Sequence, residues 1–338
     1  MLTKFNQFGN CEKVKWADDG IVLFGKKNRY GNYIISLIAN ENLNEYELVD
    51  EVSGIIRYDI DKWIVSFRNK SSSILNNNFE IIDIVPIDER LILNERKKTG
   101  YFLSTSQWIE NSRKLSLYAI ENLEKVWYSE NEIMVFENEV FDYNKSKKSR
   151  IGKVDLTMQK LKWETDLTKL QYTGSFPTYL KSNVLFFMRD RFEYEDAMAL
   201  NSDNGELLWK HDIPFKHYYK VDQTKDKLIS LYDGYIERDI YTGQVTLEHR
   251  DEDTFKEFDP RSRGSNFCQV GKHLIAIVHN RNKIYVYNTE SHKFDFIYTD
   301  PEVKSFVAGH HVVFHNEHLY LMDIEKNMHI YKKEGSWE

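Results

Sequence analysis

Apolar and polar positions along this chain alternate in short runs of strand length, separated by polar turns. Lys283-Ile284-Tyr285-Val286-Tyr287 and His318-Leu319-Tyr320-Leu321-Met322 place β-branched, aromatic and long apolar residues at strand spacing. No window carries a long apolar stripe at helical spacing with caps at both ends. The sharpest unit runs from Asp196 to Lys210: a strand, a turn at Asp203-Asn204-Gly205, and a second strand ending on Trp209. Asn-Gly between two apolar runs predicts a hairpin, because glycine tolerates the positive φ that such turns need.

Degraded copies of this hairpin recur. Their turns fall near residues 42, 77, 122, 158, 203, 243, 291 and 326, a mean spacing of about 41 residues, which is the period of a four-stranded propeller blade. A lone hairpin cannot bury its apolar face, so stacked neighbours must cover it. A second signal keeps the same register. Short polar turns lead into strongly apolar runs such as Asp61–Phe67, Lys181–Phe187, Lys225–Leu231, Gly271–Ile277 and Gly309–Phe314. Such runs suit a strand buried on both faces. The five prolines (Pro86, Pro177, Pro214, Pro260, Pro301) share one phase, just after a predicted outer strand, where the chain leaves one sheet for the next. The expectation is an all-β chain, a β-propeller of four-stranded antiparallel blades. Eight repeat units give eight blades. Seven remain open if the unit near 77 or 122 is an elaboration. The stretch 86–150 fits least well; Arg90–Glu95 and Tyr101–Ser106 belong either to one blade or to two.

Composition narrows the picture. No linker rich in Gly, Ser or Pro interrupts the period, so residues 1–338 are expected to form a single domain. Aromatics at 14% supply a large core. Two cysteines, Cys11 and Cys268, exclude a disulfide framework; two buried free thiols are expected, with one bond between them left open. Met1 to Lys13 holds no apolar run of the signal-peptide kind, and no run is long enough to span a bilayer, so a cytoplasmic location is expected. A net charge of −7 argues against nucleic acid, which calls for a basic stripe. The charge is uneven. Between Glu248 and Asp259, six acids (Glu248, Asp251, Glu252, Asp253, Glu257, Asp259) stand against Arg250 and Lys256. Such a patch is either a solvated loop or a steering surface for a basic partner. Arg261 and Arg263 follow it in a turn bounded by Pro260 and Gly264, a pair able to grip a carboxylate or phosphate.

The run Ala199–Trp209 resembles the repeat of quinoprotein-like (PQQ-like) β-propellers, whose pattern is an alanine, a turn with Asp and Thr-Gly, then a tryptophan. Thr242-Gly243 carries the Thr-Gly, and Trp127 and Trp163 stand where the tryptophan falls. The resemblance implies that Trp127, Trp163 and Trp209 dock between blades. Enzymes of that family bind pyrroloquinoline quinone and calcium and are exported, often with a disulfide between adjacent cysteines. This chain lacks the export signal and the adjacent cysteines, so no cofactor or metal ligand carries over, and the resemblance is to the non-enzymatic binding scaffolds. The Asp-box, Gly-His…Trp-Asp and kelch Gly-Gly signatures of other propellers are absent, although the WD40-like period is shared.

Candidate chemistry is thin. His310, His311, His315 and His318 form the densest histidine group, and zinc needs three or four convergent ligands. Arg189–Asp196 mixes acids and arginines, and paired carboxylates at the right separation do glycosidic work. No P-loop, nucleophile elbow or His-Glu-x-x-His motif occurs. The sequence therefore points to a protein-binding propeller without catalysis, cofactor or metal, monomeric on its own. Its specific form is an immunity protein that neutralises a cognate, basic toxin by direct binding. The alternative is a carbohydrate-active or lactonase-type hydrolase with a carboxylate or metal site in the central funnel.

Overall fold

In the computed structural model the chain is described except at residues 1, 19–20, 40–41, 49, 69–70, 88–89, 94–99, 106–114, 137, 145–149, 173–176, 188–194, 214–218, 223, 232–233, 257, 259–264, 308–311 and 336–338. The described strands form eight four-stranded antiparallel sheets, the blades of a β-propeller. Seven are contiguous in sequence: blades 1 to 7 span 11–48, 52–84, 90–129, 132–166, 177–213, 219–249 and 265–299. Blade 8 takes three strands from 313–333 and its fourth, Leu2–Phe8, from the start of the chain. Arg90–Ile92 and Tyr101–Thr105 are the first two strands of blade 3, so both belong to one blade. The only helix among the described residues is the single turn Glu252–Phe255.

Second strands carry the apolar runs and are largely buried; Val184–Phe187 and His273–Val278 are buried from end to end, and Lys62–Phe67 beyond Lys62. Fourth strands are mostly exposed. The contacts gather into two compact units. One comprises 1–13, 177–199 and 208–338; the other comprises 14–176 and 200–207. The first holds clusters around Phe186 and Trp209, Tyr285 and Tyr287, and Ile284 and Tyr331. The second is built around Trp63, which is wholly buried, stacks on Phe79 and donates its indole N–H to Asn77 (3.1 Å).

The hairpin between third and fourth strands has a fixed chemistry. An Asn or Asp at the end of the third strand accepts backbone N–H groups from the turn: Asn76, Asp155, Asn201, Asp239 and Asn288 each do so. This satisfies donors that the ladder leaves open. One residue later in each turn is left-handed: Phe79, Leu123, Gln159, Gly205, Gly243 and His292 have φ between 50° and 75°. Only two of these are glycine, which is why the copies look degraded in sequence. A β-bulge follows at one register position in six of the described outer-strand pairs, skipping Phe5, Ile82, Val126, Lys162, Thr246 and Asp295.

Two sequence expectations shift. The turn near 326 joins the second and third strands of blade 8, whereas the other seven join third and fourth strands. The run Val313–His315 is correspondingly a first strand. Its equivalent third-to-fourth connection is split between the two chain ends. Among the prolines, Pro86 and Pro301 do follow fourth strands, but Pro177 opens the first strand of blade 5, paired with Phe187. Pro214 and Pro260 lie outside the described residues.

Two glycines are required where they stand. A Cβ on Gly205 would lie 2.5 Å from Trp163 Cε3 and 2.5 Å from Thr165 Oγ1; one on Gly243 would lie 2.5 Å from His211 Cδ2 and 2.7 Å from Trp209 Cδ2. Both are also left-handed. Gly205→Ala is therefore expected to cost at least about 1–2 kcal/mol from the left-handed backbone alone, with the crowded indole adding to it. A midpoint in urea indistinguishable from that of the parent protein would refute this packing.

Candidate protein-binding surface

The acidic segment predicted as a patch sits between blades 6 and 7. Asp251 caps the short helix Glu252–Phe255, accepting the Asp253 N–H (3.3 Å). Asp251 and Asp253 are exposed. The segment is pinned from beneath. Phe255 and Phe258 are buried among Tyr285, Tyr287 and Phe294, with ring centroids 5.1–6.2 Å apart. Edge-to-face aromatic contacts of this kind hold a backbone firmly. The described part is a helical turn on an aromatic anchor, with Asp251, Asp253 and Lys256 exposed. Glu248 and Arg250, just before it, form an exposed ion pair. The side chain of Glu252, and Glu257, Asp259, Arg261 and Arg263 altogether, lie outside the described residues. The sequence reading missed Phe255 and Phe258 as anchors; their spacing of three residues amid acids was the available signal.

The three tryptophans have distinct partners. Trp163 donates its indole N–H to the Ser202 carbonyl (2.9 Å), and Thr165 donates its hydroxyl to the Gly205 carbonyl (2.7 Å). Lys153 spans the same junction, 2.7 Å from Glu139 and 3.5 Å from Asp203. Trp209 donates to the Ile240 carbonyl (2.7 Å), and His211 Nε2 lies 3.0 Å from the Thr242 carbonyl. In both cases a fourth strand grips the turn of the following blade. Trp127 instead points its N–H at Asp142 Oδ2 (3.4 Å), on the second strand of blade 4, while Gln159 of that blade's turn donates to the Val126 carbonyl (2.8 Å). Lysines make parallel links between first strands. Lys15 donates to the Val52 carbonyl (3.3 Å), Lys181 to the Asp222 carbonyl (2.6 Å) and Lys220 to Asn266 Oδ1 (2.8 Å).

The candidate chemical groups disperse. His310 and His311 lie outside the described residues. His315 and His318 face each other across a two-residue turn, and His318 Nδ1 sits 2.6 Å from the Asn316 carbonyl. Among the described residues no group of three or more His, Cys, Asp or Glu side chains converges as a metal site would. Residues 188–194 of the mixed-charge stretch are outside the described set. Cys11 and Cys268 are free thiols; Cys11 is buried, but Cys268 is only partly so. No described helix is long and apolar enough to cross a membrane.

Buried carboxylates are where acid–base chemistry would be sought, and here they are occupied by structural donors. Asp300 is 1% exposed. It accepts the Tyr331 hydroxyl (2.6 Å) and the Glu302 N–H (2.9 Å), and Lys4 of the first strand stands 3.4 Å away. Asp323 accepts Asn327 through both N–H and side-chain amide (2.8 Å each) and lies 2.8 Å from His329 Nε2. Asp222 accepts the N–H of Thr224 and of Lys225. Burial alone would raise all three. The donors outweigh it and hold each carboxyl below the usual aspartate value. Burial, joined by the Asp300 carboxylate, drives the Tyr331 hydroxyl far above its ordinary value and keeps it a donor.

These shifts fix a pH window. A carboxyl whose folded pKa is depressed adds stability that is complete above its unfolded value, about 3.9 for aspartate, and is lost as pH falls through the lower folded value. The urea midpoint is therefore expected to be insensitive to these groups between pH 7 and 5 and to drop below about pH 4. Asp300→Asn should flatten that acid limb, measured by tryptophan fluorescence against urea at each pH.

No family model matches the chain, and neither does any curated protein. Solved structures do. BamB from Moraxella catarrhalis superposes with a TM-score of 0.61 at 13% identity, covering 98% of this chain and 100% of that one. The C-terminal WD40 domain of Sif2 gives 0.66 at 11% identity over 99% of both chains. Sqt1 from Saccharomyces cerevisiae gives 0.61 at 9% identity over 98% of this chain and 99% of the other. At such identities the likeness is one of fold, and the fold is the β-propeller.

Proposed function

We propose that this chain is a non-enzymatic protein-binding propeller of the quinoprotein-like repeat type, and that its partner presents a basic surface. The propeller fold is compatible with such a role. The observation that carries the reading is the anchored acidic segment: Asp251 and Asp253 exposed on a helical turn whose Phe255 and Phe258 are held in an aromatic cluster. Surface charges steer an oppositely charged partner, and a backbone held in place loses little freedom when it docks. The described buried carboxylates support the same view, since Asp222, Asp300 and Asp323 are committed to backbone and side-chain donors. An immunity protein acting in the cytoplasm, neutralising a basic toxin by blocking its surface, is the specific form we favour. Toxins that act on nucleic acid need positive charge, which an acidic segment matches.

Affinity purification of the tagged chain from its native lysate is expected to return one protein at one-to-one stoichiometry. With that protein in hand, Asp251→Lys combined with Asp253→Lys should slow association by roughly tenfold at low salt, and by less at high salt. Purified protein that carries a stoichiometric metal ion and no protein partner would instead favour hydrolysis.

A further inference from the structure

The fourth strand of blade 2, Ile81–Ile84, differs from those of four other blades at one position, as does Leu2–Phe8 of blade 8, which places Asn6 there. In blades 3, 4, 6 and 7 the residue just beyond the bulge, paired with the third strand, is Trp127, Trp163, Leu247 and Phe296. In blade 2 that position is Asp83, paired with Ile74. The three remaining residues are all isoleucine and all exposed: Ile81 at 62%, Ile82 at 50% and Ile84 at 61%. The strand lies at the sheet edge, after Val52–Asp59, Lys62–Phe67 and Ser73–Asn76. Exposed edges are normally blunted by short length, bulges, lysine or proline; this strand is short and bulged at Ile82, but it carries neither lysine nor proline and leaves its aliphatic side chains in solvent. Lys160–Asp166, the equivalent strand of blade 4, shows the usual protection, with Lys160, Lys162, Glu164 and Asp166.

We propose that Ile81–Ile84 is a docking edge for an extended segment of a partner protein in which aliphatic residues alternate with basic ones. This deepens the protein-binding reading and rests on it, but it places contact far in sequence from the acidic segment. Charge selects the occupant. The strand carries Asp83 and is preceded by Glu80, with no base between 79 and 87. A second copy pairing antiparallel about Asp83 would set aspartate beside aspartate, which is destabilising, and one pairing about the 82–83 bond would set each Asp83 against Ile82, where neither acid meets a base. A basic strand meets both acids. Asp83 also acts as a cover. Its Oδ1 accepts the Ile84 N–H (2.8 Å), so a donor at the edge is already occupied. A lysine that draws this carboxylate outward frees the Ile84 N–H for a ladder bond to the incoming strand. Strand addition of this kind takes affinity from main-chain bonds and selectivity from alternate side chains.

The test uses the full chain and a fluorescein-labelled peptide, Lys-Val-Lys-Val-Lys-Val-Lys, with a scrambled peptide of the same composition as control. Saturable binding by anisotropy is expected for the alternating peptide, and hydrogen exchange at Ile82 and Ile84 should slow when it binds. Ile82→Lys with Ile84→Lys should weaken binding at least about tenfold. Both positions are exposed, so the thermal midpoint should stay at the parent value. Asp83→Lys should turn the preference toward a Glu-Val alternating peptide. Asp251→Lys with Asp253→Lys should leave the peptide affinity unchanged. Equal affinity for the scrambled peptide, indifference to the isoleucine changes, or a dimer abolished by Ile84→Lys would overturn the proposal. Binding that follows Asp251 and Asp253 instead would sink the edge while leaving the acidic segment, and the protein-binding reading, standing.

Discussion

The grip of an indole on the next blade's turn is the interaction that ties blade 4 to blade 5 and blade 5 to blade 6. A four-stranded sheet with a largely buried second strand and a wet fourth strand cannot stand alone. Something must hold each blade against its neighbour at the outer edge, where little apolar area remains. Trp163 and Trp209 do this with two forces at once. The ring covers the backbone of a left-handed glycine, and the N–H bonds a carbonyl that the turn leaves open. Ring and glycine are therefore one device. Where Trp127 turns away toward Asp142, the following turn holds Gln159 in place of glycine, and the glutamine makes the link itself.

This pairing explains what the sequence disclosed. The eight repeat units, the four-stranded blade and the burial of second strands were readable, with seven or eight blades left open, since hydrophobic burial imposes their period directly. The hairpin at Asn201–Leu207 was sharp because Gly205 must be glycine. Its relatives at Phe79, Leu123 and His292 were faint because those left-handed positions carry side chains rather than glycine; in the turns at Phe79 and His292 an Asn at the end of the third strand orders the backbone. The bulge was invisible, since skipping one residue in a half-exposed strand leaves no apolar signature. The eighth unit was assigned a strand out of phase for a topological reason. Its fourth strand comes from the far end of the chain, and no local pattern announces Leu2–Phe8 as the partner of Met328–Lys333.

The sites divide along the same line. Charge clusters are visible in sequence, but whether a charge is free or committed depends on long-range partners. Asp300 and Asp323 drew no notice beforehand and turned out to be deeply embedded, holding Tyr331, Lys4, Asn327 and His329. The segment around Asp251 did draw notice, and the structure supplies what composition could not, an aromatic floor under the backbone turn that carries Asp251 and Asp253. A turn already ordered in folding has less freedom to lose when a partner docks.

Blade 2 shows the reverse case, in which a departure from the repeat is itself informative. Blades 4 and 5 each spend an outer tryptophan on the turn of the next blade. Blade 2 carries Asp83 at the place of Trp163. Were this a neutral loss, the freed strand would drift toward lysine and glutamate, as Lys160–Asp166 has, because exposed aliphatic edges invite aggregation. It holds three isoleucines instead, with one carboxylate covering an edge amide. Exposed apolar surface beside a single carboxylate is what the proposed docking of a basic extended segment requires.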